Sequence, residues 1–267
     1  MRRLTPTALC SNAWGWLPRK GMSRKRLDEL LVERGLAENR SRAQASVMAG
    51  LVFSGERRLD KPGLAVAEDI PLDVRGREHP YVSRGALKLE RALAVFALDP
   101  AGMTAIDVGA STGGFTELLL MRGAARVYAV DVGHGQLAWK LRQDERVVVL
   151  EKTNARHLTA AQIPEPADLV VCDASFIGLE TVLPAALALA KPSAWLVALI
   201  KPQFEVGRGR VGKGGIVRDP ALHEEVCRRV EGWLNGLPGW RSLGVVESPI
   251  TGADGNIEFL LGGRKLV

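Results

Sequence analysis

The stretch AIDVGASTGGFTELLL, Ala105 to Leu120, constrains the chain most, because it reads as a short apolar strand, a glycine-rich turn and the opening of a helix. After it, strand-like runs rich in β-branched residues alternate with helical segments: RVYAVDVG, VVVLEKTN, ADLVVCDAS and AWLVALIKP. Strands that are apolar throughout and separated by helices predict an α/β fold, a mostly parallel sheet covered by helices on both faces. A helix, ALKLERALAVF, leads into the first strand, and a helix is expected after each of the next four. The last two strands, RSLGVVESP and IEFLLGG, follow one another without a helix and predict an antiparallel hairpin at the sheet edge.

Ahead of this pattern lies a different one. SRKRLDELLVERGL carries Leu27, Leu30, Leu31 and Leu36 at near-helical spacing, with Ser23 placed as N-cap and Gly35 as the stop. In NRSRAQASVMAGLV, Ser41 is the expected cap, Ala43, Val47 and Met48 the inward face, and Gly50 the end. The alternating segment up to about residue 78 adds short strands and turns, so residues 22–78 read as a small α+β module. Arg24, Lys25, Arg26, Arg40 and Arg42 gather near the starts of its two helices, a cluster that suits RNA phosphates or an ordinary solvated surface equally well. The run RLDELLVERGLAENRSRAQASVMAGLVFSG resembles the S-four type RNA-binding domain, which implies that these five residues contact structured RNA.

Composition sets the outer limits. The chain has 267 residues, 46% of them hydrophobic, and a net charge of +6, which suggests an anionic partner. Residues 1–21 hold Arg2, Arg3, Arg19 and Lys20 without an acid or a sustained apolar segment, and read as a disordered leader. The longest apolar run, Leu179 to Ile200, is broken by Glu180, Pro184, Lys191 and Pro192, a buried helix and strand in place of a membrane span. Three cysteines, Cys10, Cys172 and Cys227, show no paired spacing, which fits a reducing cytoplasm, and no metal is expected.

Three ligands compete for the glycine turn. A P-loop needs a lysine after its last glycine, where this chain has Phe115. A dinucleotide site wants GxGxxG beside an anionic pyrophosphate, whereas the glycines here stand at 109, 113 and 114 with Asp107 at the strand end. That carboxylate would repel a pyrophosphate but attract the cationic end of S-adenosylmethionine. Asp131, ending the next strand, is placed for ribose hydroxyls, and Asn154 follows the third strand where an adenine edge could be held. Asp173 ends the fourth strand in CDASF, which lacks the (D/N)PP(Y/F) pattern of base-amino methylation.

Methylating a ribose 2'-hydroxyl needs a base, and Lys88, Asp173, Lys201 and Glu258 can converge above one edge of the sheet. Each has an ordinary explanation when taken alone: Lys88 defaults to a solvated helix face and Lys201, beside Pro202, to a polar strand end. In order and context the four match the K-D-K-E tetrad of the FtsJ/RrmJ-like ribose methyltransferases. With VSRGALKLERAL, DVGASTGGFTE, AVDVGHGQLAWKLRQD, IKPQFE and KGGIVRDPALH, residues 22–267 are similar throughout to the TlyA family. The resemblance implies a Rossmann-like class I S-adenosylmethionine methyltransferase domain over residues 86–267, joined to the RNA-binding domain by a linker over 79–85, and a ribosomal RNA cytidine 2'-O-methyltransferase acting on 16S or 23S RNA or their subunits. It implies Lys201 as base, Lys88 lowering its pKa, and Asp173 and Glu258 orienting it. Asp107, Gly109, Ser111, Thr112, Gly113, Asp131 and Asn154 would form the cofactor pocket. The family also carries the name hemolysin A, but no apolar segment of about 20 uninterrupted residues supports a membrane-active reading. An RNA-binding protein with an inactive methyltransferase fold is the third reading, against which the intact tetrad stands. The loop GRGRVGKGG, residues 207–215, suits either an RNA backbone or a mobile turn.

Overall fold

The computed structural model describes residues 24–37, 39–75, 80–252 and 255–266. The leader, the expected cap Ser23 and residues 76–79 lie outside them.

The N-terminal part contains β1 (Arg24–Arg26), α1 (Leu27–Glu33), α2 (Arg40–Met48), β2 (Val52–Ser54), β3 (Arg57–Arg58), β4 (Ala65–Ala67) and β5 (Asp73–Val74). It closes over its own core, with Leu27, Leu31, Ala43, Val47 and Val52 all buried. The first helix begins three residues later than the sequence suggests, with Arg26 and not Ser23 at its N-cap position. Arg24–Arg26 instead pairs antiparallel with Ala65–Ala67, and the first helical amides donate to the opposite loop, Leu27 N to Leu64 O at 2.8 Å and Asp28 N to Pro62 O at 2.9 Å. Those contacts do the work expected of an N-cap side chain. Helix α2 is capped by Asn39, whose Oδ1 accepts from Arg42 N, and not by Ser41. Met48, expected inside, is 77% exposed, because Ala43 and Val47 already fill the inward face.

The larger part runs through α3 (Gly85–Val95), β6 (Thr104–Val108), α4 (Gly114–Met121), β7 (Arg126–Val130), α5 (Trp139–Arg142), β8 (Val147–Leu150), β9 (Ala167–Cys172), α6 (Leu179–Val182), α7 (Pro184–Ala188), β10 (Ala190–Ile200), α8 (Pro202–Glu205), α9 (Pro220–Gly236), β11 (Trp240–Glu247) and β12 (Phe259–Lys265). Seven strands form one sheet in the order β11-β12-β10-β9-β6-β7-β8. β6 to β10 are parallel, while β12 runs antiparallel to both β10 and β11, giving the expected edge hairpin. Apolar layers cover both faces, one including Ile106, Val170 and Leu196, the other Leu89, Leu118 and Leu199. The helix expected after β8 is a single 3-10 turn, Ala155–His157. Pro164 and Pro166 follow closely and cannot continue a helix. The chain returns on opposite sides of β6, to β7 and to β9, so a crevice opens at the carboxyl ends of these two central strands.

Candidate active site

The crevice is built by the close approach of two strand ends. Gly109 follows β6 with φ +81°, and a Cβ there would lie 2.9 Å from Ala174 Cα, so only glycine lets the turn pass the end of β9. Above the two turns lies a cleft of about 350 Å³, within the range of small-ligand sites. Lys88, Asp173, Lys201 and Glu258 all line it, as do Ser111, Thr112, Ser175 and Asn39.

The four sequence-predicted residues meet. Lys88, on α3, is buried and not on a solvated face. Its Nζ lies 2.6 Å from Glu258 Oε2 and 3.5 Å from Asp173 Oδ2. Burial pulls the Lys88 pKa down, but the Asp173 and Glu258 carboxylates pull harder and leave it raised. Lys201, directly after β10, sets its Nζ 2.7 Å from Asp173 Oδ1 and donates to Asp173 O at 3.1 Å and Ser175 Oγ at 2.9 Å. Asp173 therefore stands between the two lysines, and Lys88 is held in addition by Glu258, just ahead of β12. Such an array can hold a hydroxyl and take its proton in a site largely shielded from water.

The residues expected around the cofactor occupy two kinds of position. Ser111 and Thr112 line the cleft directly. Gly113 adopts φ +95° as the N-cap of α4 and brings no capping side chain; Thr116 N bonds the Asp107 carboxylate, while Gly114 and Phe115 line the cleft, where an anionic group can meet the helix start. Asp131 holds the turn in shape, its Oδ2 accepting from Ser111 N at 2.8 Å and its Oδ1 from Gly133 N at 2.7 Å. Asp107 is wholly buried beneath the turn, where its Oδ2 accepts from Thr116 Oγ1 at 2.7 Å. Its Oδ1 has no hydrogen-bond partner among the described residues, and burial pushes its pKa up to about 7. Asn154 caps the 3-10 turn through Oδ1 to Arg156 N at 3.1 Å and does not line the cleft. A helix start without a capping side chain, in a cleft also lined by the Asp173 and Glu258 carboxylates, fits a ligand with an anionic and a cationic end, which is the character of S-adenosylmethionine.

The five basic residues of the N-terminal part are mostly tied to their own acids. Lys25 pairs with Glu33 and Glu68, and Arg24 donates to Ala65 O. Arg26 and Arg40 both clasp Asp28, which is fully buried and also accepts from Gln44 Nε2. The Arg26 guanidinium, foremost among these partners, holds the Asp28 carboxyl far below the usual range. Arg42 is exposed and makes no ion pair among the described residues. Replacing Asp28 with Ala is expected to cost about 2 kcal/mol at neutral pH. Because the folded-state pKa is depressed, the contribution is present above the ordinary value of 3.8 and lost as pH falls below it, so urea midpoints of wild type and variant should converge in acid.

Three residues of the site carry no sequence signal that singles them out. Ser175 bonds Lys201, as above. Glu205, nearly buried, accepts from Leu179 N at 2.8 Å and pairs with Arg229 at 2.6 Å, which fastens the loop after β9 to α8. Asn256 is buried beneath the loop 207–217, its Oδ1 accepting from Val217 N at 2.9 Å and its Nδ2 donating to Gly215 O at 3.0 Å. That clamp joins the basic glycine-rich loop to the segment bearing Glu258. Arg210 in this loop forks onto Glu225, and Lys213 is exposed. No helix among the described residues is long and apolar enough to cross a membrane.

Comparison with known proteins agrees with this geometry. The family model described as FtsJ-like methyltransferase matches residues 81–265, and that of the S4 domain, the S-four type module, matches residues 25–69. The chain is 53% identical over 239 residues to YqxC of Bacillus subtilis (strain 168), provisionally named an rRNA methyltransferase, covering 89% of this chain and 85% of the relative. It is also 53% identical over 244 residues to TlyA of Mycobacterium tuberculosis, named a 16S/23S rRNA (cytidine-2'-O)-methyltransferase, covering 89% of each. A solved structure from Streptococcus thermophilus, provisionally named a hemolysin, superposes with a TM-score of 0.70 at 44% identity, covering 92% of this chain and 90% of that one.

Proposed function

The chain belongs to the FtsJ-like methyltransferase family, and from that premise we propose that it transfers a methyl group from S-adenosylmethionine to the 2'-hydroxyl of a cytidine in ribosomal RNA. The observation that carries this reading is the meeting of Lys88, Asp173, Lys201 and Glu258 around one cleft beside the glycine turn. Ser111, Thr112 and the start of α4 would hold the cofactor, with Asp131 fixing the turn and Asp107, buried beneath it, anchoring the helix start through Thr116. When bound, S-adenosylmethionine supplies a methyl group already activated by a sulfonium sulfur. Lys201 takes the proton of the ribose hydroxyl. Asp173 keeps Lys201 in place, and Lys88, locked to Glu258, keeps Asp173 in place. Most of the rate then comes from positioning, since a held near-attack geometry is worth far more than the strength of the base.

The domain division that serves this chemistry is an RNA-docking module over residues 22–78, a linker over 79–85 and the methyltransferase over 86–267. Asn39, at the start of α2, lines the cleft itself, so the module lies within reach of a nucleotide seated there. RNA held in the cytoplasm as ribosomal subunits would be gripped by the basic face around α2, with Arg24, Lys25, Arg26 and Arg40 shaping that face. Arg42→Glu, which breaks no ion pair among the described residues, is expected to weaken RNA binding about tenfold at low salt and to flatten its salt dependence, measured by filter binding. The function itself is tested by incubating unmodified ribosomal subunits with radiolabelled S-adenosylmethionine and mapping the label. Label on a ribose 2'-oxygen of a cytidine supports the reading; label on a base, or none on either subunit despite cofactor binding, overturns it.

A further inference from the structure

We infer that Ser175 is a positioning residue for methyl transfer, its hydroxyl fixing the direction in which Lys201 presents its amine. This rests on the reading of Lys201 as the base. A lysine ends a flexible four-carbon stem and has no preferred direction of its own, so the orientation of its nitrogen must come from what it touches. Lys201 Nζ has three contacts: Ser175 Oγ at 2.9 Å, Asp173 O at 3.1 Å and Asp173 Oδ1 at 2.7 Å. The Asp173 carboxylate holds Lys201 through an ion pair that does not fix where its N–H bonds point, and the same carboxyl also meets Lys88 through Oδ2 at 3.5 Å. The serine and the carbonyl are not shared in this way.

Proton counting gives the hydroxyl its role. A neutral amine keeps two N–H bonds and one lone pair, and the two fixed acceptors, Ser175 Oγ and Asp173 O, take the two N–H bonds. The lone pair is left in the remaining direction, away from those two acceptors, where it can take the single proton of a ribose hydroxyl seated in the cleft. The hydroxyl proton passes to that lone pair, and the resulting ammonium regains the contact with Asp173 before releasing the proton to water. Removing the serine oxygen leaves one N–H without a fixed acceptor and lets the amine rotate.

The loop is built to hold the serine still. Phe176, next in the chain, adopts φ +67°, a left-handed conformation unusual for an aromatic residue, and its ring packs against Phe204 with centroids 5.0 Å apart. Three residues further on, Leu179 N is held by Glu205, itself paired with Arg229. Ser175 is thus fastened on both sides, by Asp173 at the end of β9 and by the Glu205 latch. Nothing in the spacing of CDASF alone would separate this serine from an ordinary loop residue.

The test uses the full-length protein, unmodified ribosomal subunits and radiolabelled S-adenosylmethionine, with Ser175→Ala, Ser175→Thr and Ser175→Cys. Thr keeps the accepting hydroxyl, whereas Cys keeps the volume and offers a poor acceptor. Ala and Cys are expected to lower single-turnover transfer by about tenfold to a hundredfold, the weight of one hydrogen bond to a charged group, with cofactor affinity and RNA affinity unchanged. Thr should retain most of the rate. In a Lys201→Ala background the same substitutions should cost nothing more, because Ser175 acts through that lysine. Wild-type rates for Ser175→Ala, equal rates for Cys and Thr, or a further loss in the Lys201→Ala background would each overturn the inference. Undiminished transfer by Lys201→Ala alone would instead overturn the assignment of the base, and is read separately from the serine series.

Discussion

Lys201→Ala is expected to lower methyl transfer by about a thousandfold, within the span usual for loss of a general base, while S-adenosylmethionine binds as before. The separation of the two effects follows from the structure. Lys201 enters the cleft from the end of β10 and contacts Asp173 and Ser175, whereas the turn and helix start that suit the cofactor belong to β6 and α4. The substitution also leaves Asp173 with Lys88 at 3.5 Å, so the remaining carboxylate keeps a cation and the fold should stand. Calorimetric cofactor binding together with single-turnover transfer to subunits checks both halves. A variant that loses cofactor affinity in parallel with rate would mean that Lys201 serves binding more than proton removal.

Much of this arrangement was legible from the sequence, and the reasons differ by element. The central strands announced themselves because β6, the last four residues of β9 and the last five of β10 are buried on both faces and form largely apolar runs without alternation. The edge hairpin was legible from the missing helix between its strands. Side-chain direction was not. Asp107 stands at a strand end as expected, yet it points beneath the turn to Thr116 instead of lining the cleft, a choice made by the pleat and by the helix that follows. Asp28 has Arg26 two residues away along the chain, but only the folding of α1 against α2 brings Arg40 and Gln44 around it. Asn256 and Glu205 escape for the same reason, since their partners lie 39 and 26 residues away along the chain. The single 3-10 turn after β8 is the opposite case, in which two prolines locally veto the alternation that the rest of the domain follows.

The second large effect concerns the buried pair beneath the site. Lys88→Met is expected to destabilise the protein by about 3 kcal/mol at neutral pH, because it leaves Glu258, only 3% exposed, without its cation. Lys88→Met/Glu258→Gln should regain much of that loss, since removing both charges cancels the desolvation cost that a lone carboxylate bears. Neither variant should transfer methyl groups at a useful rate, because Asp173 then lacks the partner that fixes it. That split, in which stability returns and activity does not, distinguishes a site residue from a structural one. The pH dependence has a definite sign. Asp173 and Glu258 raise the Lys88 pKa above its ordinary 10.5 despite burial, so the pair contributes fully below that value and its contribution is lost as pH climbs through the folded-state pKa. Urea unfolding should therefore show wild type well above Lys88→Met at pH 8, with the gap closing in strong alkali. A gap that stayed constant across that range would mean that Lys88 stabilises the fold through the packing of its stem and not through its charge.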